Sequence, residues 1–561
     1  MRHLLFFAVL AVSATVALPA GAQDILAAEA EKSGSVDVIV RFNPGSAAAG
    51  HGRFRERGAI HRRSLPLIAA HVYRIRSEDL PLLSAAPEVE YLGLDHPLYA
   101  AGTSFPSTPD YGWMTVLGVT SPTSTLPWTG TGIGIALIDS GISGNPVDLR
   151  NAQGGSRILY GQSFVPNDSD ANDYYGHGTM VAGLIAGDGQ NSSCSNCDYT
   201  VRGIAPNANL INLKALSDSG SATDSTVIAA IQAAIQLKTK YDIRVLNLSL
   251  GRPIFESYKT DPLCQAVQQA WNAGIVVVVA AGNNGRLNTY GNQGYGTVNA
   301  PGNSPYVITV GAMNTMGTLA PSDDKLTSYS SKGPTLFDYV VKPDLVAPGN
   351  LVVSIQAGGS YLVTGYPTNR VAQGLYENAG SQRPSSQYFE LSGTSLAAPM
   401  VSGAAALLLQ QNPRLTPDQV KARLMLTATK LPQMVTTATD PVTGTVYYDE
   451  NDILTVGAGY LNVQAALNST AVSNQPATSP TVSYKASQLS LKLVLPSKTI
   501  WGTGAIWGTG AIWGTGAIAG SGAIWGTSAI WGTGAIWGSG AIWGTGTNES
   551  DLSTVEVDGD N

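Results

Sequence analysis

Gly132-Ile133-Gly134-Ile135-Ala136-Leu137-Ile138-Asp139 would be apolar on both faces of a strand, and it closes on a carboxylate. Comparable runs recur at 208–213, 245–248, 275–281 and 307–310, with helical patterns at 225–240 and 262–272 between them. Strands buried on both faces and spaced by helices predict an α/β fold, a mainly parallel sheet with helices on both sides. Polar side chains in such folds gather at the carboxyl ends of strands, where sites are expected. Asp139 is the first of them, although alone it is equally a turn cap.

Three more segments supply polar groups. Gly176-His177-Gly178-Thr179 opens a helix at 180–186. Flanking glycines leave the imidazole unobstructed, and an ordinary pKa of about 6.5 suits a general base near neutral pH. A histidine satisfied inside a core has the same local pattern. Ala280-Ala281-Gly282-Asn283-Asn284-Gly285 follows the run at 275–279, and the Asn283 amide could donate to an oxyanion. Gly393-Thr394-Ser395-Leu396-Ala397-Ala398-Pro399 leads into an apolar helix ending near 409. With Pro399 in the first turn, where a missing N–H costs no intrahelical bond, Ser395 falls at or beside a helix N-terminus. Small neighbours there admit a substrate backbone, and open amides can face a developing negative charge. An ordinary helix start reads the same way, because serine needs a base and an orienter before it is a nucleophile.

With 561 residues, 43% hydrophobic and only 13% charged, the chain can bury a large core and carry appendages. A net charge of −7 without a long basic run excludes nucleic acid as an expected partner. Five of the six histidines lie at or before His96, so imidazole chemistry in the remainder rests on His177. Cys194 and Cys197 sit in a polar loop, where a local disulfide is expected over a metal site, and Cys264 is expected as a buried free thiol.

Residues 1–22 read as an export signal, with Arg2 and His3, an apolar stretch at 4–12 and Ala20-Gly21-Ala22 for cleavage. Residues 23–101 hold a small α+β pattern: strands at 36–42, 71–75 and 89–92 and a short helix at 77–83. Periodicity is then lost at 98–107, as at a processing site or a linker. Beyond Ser395, Thr416-Pro417-Asp418 caps another helix. Residues 469–498 read as a Ser/Thr/Pro-rich linker. Residues 499–546 repeat Ile-Trp-Gly-Thr-Gly-Ala, and the even period places the tryptophans on one face of an extended chain. This predicts an adhesive or self-associating tail, with a disordered spacer as the alternative. Residues 547–561 form an acidic tail.

The order Asp139, His177, Asn283, Ser395 resembles the subtilisin-like serine proteases, the S8-type subtilases. Ser328-Tyr329-Ser330-Ser331-Lys332-Gly333-Pro334 and Val346-Ala347-Pro348-Gly349 extend the likeness over about 132–467. The resemblance implies a catalytic domain at 102–468 with Ser395 as nucleophile, His177 as base and then acid, and Asp139 as orienter. Asn283 and the Ser395 N–H would form the oxyanion hole. Ser249, Leu250 and Gly251 would line the primary pocket and pair with an extended peptide. Ser219, Gly220 and Ser221 would form the other edge, and Asn299 would floor the pocket. The region at 23–101 is similar to subtilase propeptides, which assist folding and then inhibit, with self-cleavage expected between Tyr99 and Gly102. The product would be an exported endopeptidase, either free outside the cell or retained at its surface, that needs no cofactor for its chemistry. Calcium is expected at most as a structural ion, with Asp148 the candidate ligand. Met180 and Met400 stand where many relatives have histidine, and an insertion at 361–388 precedes the nucleophile.

Overall fold

The computed structural model describes residues 34–100, 113–121, 124–197, 199–288, 292–377, 380–432, 434–441, 443–472, 474–485, 490–496 and 560. The expected signal at 1–22, the cleavage segment beyond Ala100, the repeats at 499–546 and all of the acidic tail except Asp560 lie outside these residues.

An eight-stranded sheet carries the larger body. Its strands lie in the order Lys325–Leu326, Ile308–Asn314, Val276–Ala280, Ile243–Leu248, Gly134–Asp139, Asn209–Lys214 and Ile158–Ser163, and Leu345–Pro348 also pairs with Ile308–Asn314. Every pairing is parallel except that of Lys325–Leu326. All the residues of Gly134–Asp139 and Val276–Ala280 are buried, as the uninterrupted apolar runs require. Helices Asp224–Tyr241 and Pro262–Asn272 pack together on the sheet, and His177–Ala186 packs with Thr394–Gln411. The first strand lies between strands that follow it by different routes. The sheet therefore changes direction there, and the carboxyl ends of Gly134–Asp139, Ile243–Leu248 and Val276–Ala280 open on one crevice.

The amino-terminal unit is a four-stranded antiparallel sheet, Ile60–Leu65, Ala70–Arg76, Ser35–Phe42 and Val89–Leu94, with its own small apolar core. Helix Ala47–Glu56 and strand Ile60–Leu65 were not expected from sequence: the helix carries three small residues in its first turn, and the strand Ile-His-Arg-Arg-Ser-Leu is mostly exposed. The unit grips the body through Arg63, which donates to Phe164 O at 3.1 Å and Ser225 O at 3.2 Å, and through Asp95, which accepts from Ser225 N at 2.7 Å.

Residues 469–498, expected as a linker, are instead partly docked. Ser479 Oγ donates to the buried Asp344 at 2.5 Å, Val341 N donates to Pro480 O, and Thr481–Lys485 forms a hairpin with Ser490–Val494. A Ser/Thr/Pro-rich composition hides these contacts because single polar groups, not an apolar stripe, make them. The insertion also folds back on the body. Its strands Arg370–Ala372 and Pro384–Leu391 join Val352–Ile355 in a small sheet, and Tyr361 N and Leu362 N bond to Tyr174 O and Tyr175 O just before His177.

Candidate active site

Asp139 ends the central strand, and its buried carboxylate accepts from His177 Nδ1 at 2.7 Å. Three neighbours fix that pair. Ser140 N donates to Asp139 Oδ1 at 2.8 Å, while Ser140 Oγ accepts from Gly178 N and donates to Asp173 Oδ1, both at 2.9 Å. Asp173 also accepts from Gly176 N, Thr179 N and Thr179 Oγ1 at 2.6–2.8 Å, tying down the start of the histidine helix. Burial raises the Asp173 carboxyl above its ordinary range, and these donors oppose the shift. Gly176 has φ +110°, and a Cβ there would strike Ser360 Oγ, just before the insertion, so glycine is required at this turn.

Ser395 is the second residue of helix Thr394–Gln411 and is fully buried. Pro399 lies inside this helix, beyond the first turn, which corrects the sequence reading. Its missing N–H leaves Ser395 O without the usual i+4 donor, and Ser249 Oγ supplies one at 2.7 Å. Asn247 Nδ2 donates to that hydroxyl at 2.9 Å, and Ser402 Oγ donates to Asn247 Oδ1 at 2.8 Å. Strand Ile243–Leu248 and helix Thr394–Gln411 are thus joined by one chain of hydrogen bonds.

Asn283 Oδ1 accepts from Thr394 N at 3.0 Å and from Thr394 Oγ1 at 2.9 Å. Its Nδ2 and Ser395 Oγ are both buried, with no hydrogen-bond partner among the described residues. An amide held in one orientation, with an open Nδ2 beside an open hydroxyl, is the arrangement in which the amide receives a developing oxyanion while the hydroxyl attacks.

The two cleft edges hold an extended segment of the same chain. Pro97–Ala100 pairs antiparallel with Ser221–Thr223 on one side and Leu250–Gly251 on the other, with Tyr99 opposite both Ser221 and Gly251. Of the expected edge, only Ser221 lies in the strand. Ser219 and Gly220 (φ +77°) form the preceding turn, closed by Gly220 N to Ser217 O, and a Cβ at Gly220 would overlap the Tyr175 ring. Asn299 Oδ1 accepts from Asn284 Nδ2 at 3.0 Å, and Asn299 lies against Gly251 and Gly282, between the edge strand and the oxyanion turn. Beneath both edges Arg252 bonds Asp224 at 2.8 Å and Asp261 at 2.9 Å. Burial opposes its charge, but the two carboxylates override it and hold the guanidinium above its ordinary pKa.

Asp148, the candidate calcium ligand, has both carboxylate oxygens bonded to protein donors. Its Oδ1 accepts from Asn191 N and its Oδ2 from Tyr388 OH, both at 2.7 Å, and burial pushes the carboxyl up to about 6. Among the described residues no group of three His, Cys, Asp or Glu is placed to hold a metal ion. Cys194 and Cys197 form a disulfide and Cys264 is a buried free thiol, as expected. Thr394, Asp173, Ser140 and Arg252 were missed. Only Asp173, four residues before the histidine, carries a legible capping signal; the others act through contacts distant in sequence.

A parallel sheet with an Asp–His pair, a helix-borne serine and an amide donor at its carboxyl edge defines a serine hydrolase of the triad class. The chain belongs to the Subtilase family, whose profile matches residues 130–445. It is 39% identical over 301 residues to serine protease AprX of Bacillus subtilis, covering 53% of this chain and 61% of that one. Against subtilisin DY of Bacillus licheniformis the identity is 33% over 341 residues, covering 60% and 92%. Against subtilisin E of Bacillus subtilis it is 32% over 413 residues, covering 73% and 84%. The fold also matches the crystal structure of fervidolysin from Fervidobacterium pennivorans, a keratinolytic enzyme related to subtilisin, with TM-score 0.57 and 20% identity, over 79% of this chain and 62% of that one.

Proposed function

We propose that this subtilase is an exported endopeptidase made as a zymogen that cuts itself. The observation that carries the reading is the extended strand Pro97–Ala100, bound between the two cleft edges as a peptide substrate would be. In this mechanism His177 takes the Ser395 hydroxyl proton at Nε2 as Oγ attacks the scissile carbonyl, and Asp139 holds the ring through Nδ1 and stabilises the imidazolium. Asn283 Nδ2 and Ser395 N receive the oxyanion. The imidazolium then protonates the leaving amine, and a water activated by the same ring releases the acyl group from Ser395. The unit at 23–101 remains after cleavage as an inhibitor whose last residues occupy the non-primed side. Export rests on the pattern at 1–22, and no helix among the described residues is long and apolar enough to cross a membrane.

The test is amino-terminal sequencing of the secreted protein. Wild type should start within residues 100–102, whereas Ser395→Ala should keep the residues from 23 onward covalently attached; identical starts in both would reject self-processing. For the repeats at 499–546 we propose surface attachment through the aligned tryptophans. A chain ending at residue 498 should then lose cell-surface retention while keeping peptidase activity, and unchanged retention would reject the role.

A further inference from the structure

Asp560 follows the repeats, far from the catalytic body in sequence, yet it is 1% exposed and every partner the structure gives it belongs to that body. Its Oδ1 accepts from Arg286 Nη2 at 2.9 Å and Ser328 Oγ at 2.6 Å, and its Oδ2 from Ser328 N at 2.5 Å. Asn350 clamps its backbone, accepting from Asp560 N and donating to Asp560 O, both at 2.9 Å, while Asn314 Nδ2 reaches the same carbonyl at 3.4 Å. Arg286 is itself held by Asp440 at 3.1 Å and lies over the Tyr329 and Tyr447 rings.

This site reads two things at once. A guanidinium with a serine hydroxyl and amide takes a carboxylate, and a carboxamide bonded to both the N–H and the C=O of one residue takes peptide backbone. A free anion satisfies only the first, so the ligand is an aspartyl residue within a chain. The site also shares its walls with the catalytic turns. Gly349, next to Asn350, accepts from Gly393 N at 2.7 Å, two residues before Ser395, and Tyr329 OH bonds both Gly349 O and Asn350 Oδ1. Arg286 lies three residues after Asn283.

We propose that Arg286, Ser328, Asn350 and Asn314 form an aspartyl-recognition site, separate from the substrate cleft, whose occupant is this chain's own Asp560. It fastens the acidic tail to the catalytic body beside the nucleophile turn, so that the chain between Pro496 and Asp560 is held at both ends.

The experiment uses the full chain carrying Ser395→Ala, so that it cannot cut itself, and a fluorescein-labelled peptide with the sequence of residues 551–561. A chain that also carries Asp560→Ala should bind the peptide saturably by anisotropy. The same peptide with alanine at the Asp560 position should bind at least about tenfold more weakly, as expected when a buried charge-assisted contact is lost. Alanine at the Asp558 position should change nothing. The chain with native Asp560 should bind at least about tenfold more weakly than the Asp560→Ala chain, because its tethered residue competes at high effective concentration. Arg286→Lys, which keeps the charge but not the fork, should weaken binding; should that variant fail to fold, the two alanine peptides still decide. Absence of saturable binding to the Asp560→Ala chain, or equal binding of the peptide lacking the Asp560 carboxylate, would overturn the proposal.

Discussion

Ser249 Oγ donates to the main-chain carbonyl of Ser395 at 2.7 Å, in place of the N–H that Pro399 lacks. The residue just before strand Leu250–Gly251 is thereby bonded to the proposed nucleophile. Removing the hydroxyl leaves a buried carbonyl unsatisfied, so Ser249→Ala should destabilise the chain by about 1–3 kcal/mol. Pro399→Ala in the same background returns the N–H and should recover part of that loss in chemical denaturation. No recovery would mean that the carbonyl is satisfied in another way.

Thr394 sets the oxyanion amide. Asn283→Ala should lower kcat by about 10²- to 10³-fold, the usual cost of one oxyanion donor. Thr394→Val keeps the backbone donor but loses the hydroxyl, so its kcat should fall by less, roughly tenfold, with KM little changed. Because both act through one amide, the double variant should be less than additive. Full additivity in steady-state kinetics would show that Thr394 acts independently of Asn283.

Arg252 spans the strands that form the two cleft edges. Breaking a buried ion pair by removing one partner costs about 3–5 kcal/mol, because the other charge is left uncompensated. Arg252→Ala should lower the unfolding free energy of the Ser395→Ala chain by that amount. A loss below about 1 kcal/mol would contradict a load shared by Asp224 and Asp261.

The grip of the amino-terminal unit on the body, the proposed propeptide contact, should weaken in acid. His96 stacks on Phe255 at 4.1 Å, where burial first and Arg252 second hold its imidazole well below the ordinary range. Free in solution it titrates at about 6.5. The complex disfavours the proton, so this contribution to binding is intact above about pH 6.5 and is lost as pH falls below it. Asp95 beside it is raised by burial and acts with the opposite sign, favouring the bound form as pH falls. The affinity of the separated propeptide for the Ser395→Ala body should therefore fall by up to about tenfold per pH unit below 6.5. His96→Phe, which keeps the stack, should flatten the profile between pH 5 and 7; an unchanged slope would remove His96 from the account.

The sheet was legible because fully buried parallel strands leave uninterrupted apolar runs, as at Val276–Ala280, and the helical pattern at 262–272 coincides with helix Pro262–Asn272, whose Asp261 cap only the structure showed. Asp139, His177 and Ser395 stood out as candidates because each sits on a turn with glycine or small neighbours. Illegible were the contacts between segments distant in sequence. Thr394 stood in the quoted motif without a role until Asn283 was placed against it, and the Asp344–Ser479 bond lay hidden in a segment that composition marks as linker. Pro399 was placed a turn too early because the donor that compensates for it comes from Ser249.

The central claim is that Ser395 is a nucleophile activated by the Asp139–His177 pair. Labelling with a fluorophosphonate probe after propeptide removal tests it most directly. One covalent adduct should form on Ser395, should be absent in Ser395→Ala, and should form at a greatly reduced rate in His177→Ala. Equal labelling of the wild type and the Ser395→Ala chain would contradict the account.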